Sequence, residues 1–103
     1  MKSDIEIAQA CPMRHIREIA REVGVSPAQV VLGNGSDELL AFAFHGFCEN
    51  GAAFADITYG FYRVFCEMFH VKACVVPLRE DYSVRVEDYA GRRETVFLAN
   101  PNA

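Results

Sequence analysis

Paired cysteines, long apolar runs and blocks of like charge are all missing from this chain, and each gap narrows what it can do. Four cysteines stand at 11, 48, 66 and 74, and none belongs to a C-x-x-C pair. With no secretory feature in view, that spacing favours buried free thiols over disulfides or zinc. Cys66 with His70, and His45 with Cys48, have the spacing of two ligands on a helix. A closed zinc site needs four ligands, and the neighbours here are aromatic and aliphatic. No apolar stretch reaches bilayer length, and the start, Met1-Lys2-Ser3-Asp4-Ile5-Glu6, is polar. Neither a membrane span nor a signal peptide is therefore expected, and the cytoplasm is the default location. The basic residues form no long run and the net charge is −4, which argues against nucleic acid as a partner.

What is present is enough apolar material for a core. The chain has 103 residues, of which 51% are hydrophobic, the amount expected of one modest domain. The organising stretch is Leu32-Gly33-Asn34-Gly35-Ser36-Asp37-Glu38-Leu39-Leu40. Gln29-Val30-Val31-Leu32 before it reads as a buried strand around 28–32, and the residues after it suit a packed helix. A glycine turn at a helix start lets a ligand approach the backbone, and the unpaired N–H groups there favour an anion such as phosphate. The same residues also fit a purely structural role, with Ser36 as N-cap and Asp37 and Glu38 suiting the helix dipole. The stretch is neither a dinucleotide fingerprint nor a Walker A loop, for it has no third spaced glycine and no Lys-Ser/Thr pair.

Elsewhere the pattern alternates helix and strand. Residues 1–11 are weakly patterned. Met13, Ile16, Ile19, Ala20 and Val23 recur at helical spacing, with Pro12 fitting a first position and Gly24 the stop. A second helix is expected over about 36–48 and a third over about 60–70, opened by Thr58 as N-cap, and both are apolar on most faces. On the third, Arg63 and Glu67 are spaced to pair. Gly46 costs about 1 kcal/mol against Ala in a helix interior. Asn50-Gly51 signals a turn. Ala52–Ala55, Val71–Pro77 and Thr95–Ala99 read as buried strands, and Glu87-Asp88-Tyr89 as one helical turn. Strands separated by helices imply right-handed parallel crossovers and an α/β fold: a three-layer αβα arrangement around a mainly parallel sheet. Two helices this apolar need more covering than 103 residues supply, so the chain reads as a piece of something larger or a subunit of a tight oligomer.

Three motifs in order, Gly33-Asn34-Gly35-Ser36-Asp37-Glu38, then Phe54-Ala55-Asp56-Ile57-Thr58-Tyr59-Gly60-Phe61-Tyr62, then Phe97-Leu98-Ala99-Asn100-Pro101-Asn102-Ala103, resemble the histidinol-phosphate aminotransferases. These are fold-type-I pyridoxal-phosphate enzymes, and the resemblance covers nearly the whole chain. It implies that residues 1–103 are part of the family's large domain. It implies that Gly35, Ser36 and Asp37 hold the cofactor phosphate, with the carboxylates of Asp37 and Glu38 turned away. It implies that Tyr59 stacks on the pyridine ring and that Asn102 hydrogen-bonds the ring hydroxyl, beside Ala103 where family members often carry a further Asn. The family is dimeric with its sites at the subunit interface. The family's N-terminal arm, Schiff-base lysine, pyridine-pairing acid, carboxylate-binding arginine and small domain have no counterpart here, and Lys2 and Lys72 are the only lysines. The expected entity is therefore an aminotransferase fragment, inactive alone and completed by the remainder of its chain. The competing reading is a small non-catalytic α/β module that binds a phosphorylated ligand or a partner.

Overall fold

A computed structural model describes residues 1–102, and Ala103 lies outside the described residues. The chain divides into two compact units, Met1–Leu32 and Gly33–Ala103.

The first unit is helical. Helix α1 spans Asp4–Ala10 and opens with a reciprocal capping box between Ser3 and Glu6. Its bond to Ser3 holds the Glu6 carboxyl below its usual range. Helix α2 spans Ile16–Glu22, with His15 Nδ1 accepting from the Arg17 N–H at 3.2 Å. The helix thus begins four residues later than the first position that Pro12 suggested. Gly24 does stop it, and the Val25 N–H returns to the Ala20 carbonyl at 3.0 Å. Arg14 pairs with Glu22 and lies 3.9 Å from Glu18. The strand expected around 28–32 is not formed. Pro27–Gln29 is a 3-10 turn capped by Ser26. Val30 is extended (φ −111°, ψ 126°), but no neighbouring strand pairs with it, and Val31 and Leu32 are exposed.

The second unit is α/β. Helix α3 spans Ser36–Phe47, strand β1 Ala52–Ala55, helix α4 Phe61–Met68, strand β2 Ala73–Val76 and strand β3 Thr95–Val96. The strands form one parallel sheet in the order β2-β1-β3. Ala52 lies opposite Ala73 and Thr95, and Ala53 opposite Cys74 and Val96. The central strand is wholly buried, as a parallel strand covered on both faces should be.

Alternation along the strands sorts the two faces. Phe54 points to the side of α3 and α4, where it meets Tyr62 at a ring-centroid distance of 5.5 Å. Phe44 of α3 lies 4.0 Å from the Phe97 ring and 5.5 Å from Phe65. Phe44 and Phe54 are fully buried. Burial of each such side chain contributes roughly 1.5–3 kcal/mol. Thr95 ties this face to the helix by donating to the Phe47 carbonyl. On the opposite face the segment 79–92 crosses the sheet, including a 3-10 turn at Val86–Asp88. There Arg92 Nη1 donates to Cys74 Sγ at 2.9 Å, and Arg79 pairs with Asp88.

Gly51, at φ +98°, makes the turn into β1, and a Cβ there would lie 2.7 Å from the Lys72 carbonyl oxygen. Helices α3 and α4 keep part of their apolar surface outward, notably Phe42, Phe47, Phe61 and Met68. Arg63 and Glu67 form no ion pair among the described residues.

Candidate functional site

In parallel α/β sheets ligands bind beyond the carboxyl ends of the strands. Here β1 ends at Ala55 and leads into Asp56–Gly60, while β3 leads into Phe97–Asn102. The start of α3 lies beside both. The three segments meet at a cavity of about 340 Å³ lined by Ser36, Leu40, Tyr59, Tyr62, Asn100 and Pro101, among others. An apolar cavity of about 230 Å³ adjoins it, lined by Ala55, Thr58, Val84, Phe97, Asn100 and Asn102 among others. Asn100 contributes to both.

The start of α3 is open. Gly35 rather than Ser36 is the residue before the helix, and its φ of +83° is one that glycine adopts without strain. No side chain caps the helix, so Ser36 is its first residue. Among the described residues the Ser36 hydroxyl has no hydrogen-bond partner. Both neighbouring carboxylates are hydrogen-bonded. Glu38 accepts from the Asn34 N–H, and Asp37 Oδ1 accepts from the Tyr59 hydroxyl at 2.6 Å. That bond pushes the Tyr59 phenol above its ordinary range. The Glu38 carboxylate folds back over the Gly33–Asn34 turn, while the N–H groups of Ser36 and Asp37 and the Ser36 hydroxyl are left to suit an anion such as phosphate. This is the fit expected of the phosphate end of pyridoxal phosphate.

Tyr59 stands 38% exposed at the cavity, with Phe61 and Tyr62 beside its ring at 5.8 and 5.7 Å. Thr58 does not cap α4. Its hydroxyl donates to Asn102 Oδ1 at 2.6 Å, and Gly60 precedes the helix. Asn102 Nδ2 donates to the Ile57 carbonyl at 2.9 Å. Asn102 thus braces the loop after β1 and lines the adjoining cavity. The residue that shares a cavity with Ser36 and Tyr59 is Asn100, which the motif reading passed over. Its signal was its place three residues after Phe97, whose ring is anchored on Phe44.

Lys72 sits at the other end of the sheet. Its carbonyl accepts from the Ala52 N–H at 2.9 Å, just before β2, so the full length of the strands separates it from the cavity. Among the described residues no three His, Cys, Asp or Glu side chains are grouped to hold a metal, and no helix is long and apolar enough to cross a membrane.

The chain is similar to curated histidinol-phosphate aminotransferases. The histidinol-phosphate aminotransferase of Acetobacter pasteurianus is 44% identical over 89 residues, covering 84% of this chain and 25% of the relative. That of Pseudomonas syringae pv. syringae is 46% identical over 81 residues, 77% of this chain and 23% of the relative. One from Oceanobacillus iheyensis is 41% identical over 88 residues, again 84% and 25%. The chain is similar to histidinol-phosphate aminotransferases over most of its own length and spans about a quarter of the length of these relatives. No protein-family model matches it, and no solved structure does.

Proposed function

We propose that this chain carries the cofactor-phosphate and ring-stacking part of a pyridoxal-phosphate-dependent aminotransferase. The observation that supports this is the meeting of the α3 start, Tyr59 and the Asn100 loop at one cavity beyond the strand ends. When bound, the cofactor supplies an electron-withdrawing ring that stabilises negative charge on a substrate carbon.

The residues of this chain bind and orient. The N–H groups of Ser36 and Asp37, with the Ser36 hydroxyl and the glycine backbone at Gly35, hold the phosphate. The Tyr59 ring packs against the pyridine. Asn100 offers an amide to the ring's polar edge, and Asn102 fixes the Thr58 loop from below. Proton movement at the substrate carbon needs a lysine that neither Lys2 nor Lys72 provides here, so the remainder of an aminotransferase chain supplies it. By the names of its relatives, the completed enzyme is an aminotransferase acting on histidinol phosphate; the family resemblance extends this reading to 2-oxoglutarate as the other amino partner, to histidine biosynthesis, to the cytoplasm and to a homodimer. The exposed apolar side chains of α3 and α4 agree with such partners.

The test is a pyridoxal 5'-phosphate titration of the chain alone, read by tyrosine fluorescence, which is free of tryptophan background. Saturable binding that inorganic phosphate competes away and Ser36→Ala weakens is expected, with no amino transfer. Equal binding of unphosphorylated pyridoxal, or a lysine-dependent absorbance band, contradicts the reading.

A further inference from the structure

Asp37 and Tyr59 belong to different motifs, 22 positions apart, yet they are joined by a 2.6 Å hydrogen bond. Asp37 is the second residue of α3. A loose carboxylate at that place turns toward the helix's own N–H groups, where it competes with any incoming anion. The Tyr59 ring has Phe61 and Tyr62 as aromatic neighbours and is held at its hydroxyl end by Asp37.

We propose that Asp37 is a positioning residue. Its bond to Tyr59 fixes the ring beside the cavity and holds the carboxylate away from the start of α3, so one contact prepares both the anion subsite and the stacking subsite. The inference rests on the cofactor reading above. It differs from the ordinary role of an acid in a first helical turn, which is to favour the dipole. In that ordinary role Asp37 and Tyr59 act independently. As a tether they are coupled.

Coupling is measured with inorganic phosphate as the probe, by calorimetry, on the wild type, Asp37→Asn, Tyr59→Phe and the double variant, each checked for folding by circular dichroism. Tyr59→Phe frees the carboxylate and weakens phosphate binding by roughly tenfold, and adding Asp37→Asn restores it. In parallel, the Tyr59 phenol is titrated by NMR. It ionises above the ordinary tyrosine range in the wild type and returns toward it in Asp37→Asn. Additive effects on phosphate, or a Tyr59→Phe variant that binds like the wild type, overturn the tether. A wild type that takes up no phosphate overturns the cofactor-site reading instead. The phenol still judges the tether in that case: identical Tyr59 titration in the wild type and Asp37→Asn overturns it.

Discussion

Thr58 and Asn102, 44 positions apart, share a hydrogen bond of 2.6 Å, and the same asparagine donates back to the Ile57 carbonyl at 2.9 Å. One side chain therefore ties the loop after β1 to the loop after β3. Net worth of such a bond is about 0.5–1.5 kcal/mol. Asn102→Ala removes two bonds and Thr58→Val one, so the urea midpoint falls in both, further in Asn102→Ala. Amide exchange at Ile57–Tyr59 accelerates in the same order.

Phe44 touches both helices' neighbours and the end of β3 through its contacts with Tyr62, Phe65 and Phe97. Phe44→Ala leaves a cavity that costs about 3–5 kcal/mol. A core of this size rarely supplies more than about 3–5 kcal/mol in all. Cooperative thermal unfolding, followed by circular dichroism, is expected to disappear in this variant, while Phe42→Ala on the exposed side of the same helix keeps it.

Two glycines at positive φ separate conformational strain from collision. A Cβ at Gly35 meets nothing within 4 Å, whereas one at Gly51 lies 2.7 Å from the Lys72 carbonyl oxygen. Gly35→Ala costs about 1–3 kcal/mol, because its backbone (φ +83°, ψ 171°) lies in a region that only glycine adopts freely. Gly51→Ala costs more, because backbone must move. Chemical denaturation of the two variants gives the comparison.

Burial pushes the Cys48 and Cys66 thiols up, and the Tyr62 and Tyr89 phenols with them. Raised acids keep their contribution to stability below the unfolded-state value and lose it as pH climbs through that value toward the folded one. For the thiols the loss begins near the ordinary value of about 8.5. The melting temperature is expected to hold through neutral pH and fall above that point. At neutral pH an alkylating reagent labels exposed Cys11 first, and Cys48 and Cys66 only when the chain is unfolded.

Phe47 is 74% exposed and Met68 60%, and both belong to helices that also build the core. Expressed without further chain, the protein is expected to self-associate in light scattering. A monodisperse monomer with a cooperative melt contradicts this.

The central strand was legible as a short apolar run after clear punctuation at Asn50-Gly51, whereas the flanking strands are shorter and less buried than Val71–Pro77 and Thr95–Ala99 suggested, pairing only over Ala73–Val76 and Thr95–Val96. The capping box of α1 was equally visible, with Ser3 three residues before Glu6, yet the weak apolar pattern hid it. Strand 28–32 failed for a different reason. Val30 has the local conformation of a strand, but a ladder needs a second chain segment, and sequence alone does not say whether one is near. At the site, the motifs announced which residues gather and not how they bond. Nothing local couples Asp37 to Tyr59 or Thr58 to Asn102. Those contacts depend on how far β1 and β3 carry their loops, which fixes Asn100 rather than Asn102 beside Ser36.

The order β2-β1-β3 has a consequence for the timing of assembly. The central strand is made first, and neither flank exists until later chain has emerged, the second only at Thr95–Val96. Parallel pairing across such separations is slow because the loop must close before any contact rewards it. During synthesis β1 therefore waits, apolar and half-clad, and the cavity lining at Asn100 and Pro101 arrives only after β3. The cavity beside the start of α3 thus closes only after the third strand has emerged, and a ligand present at that moment acts on folding as well as on the folded state.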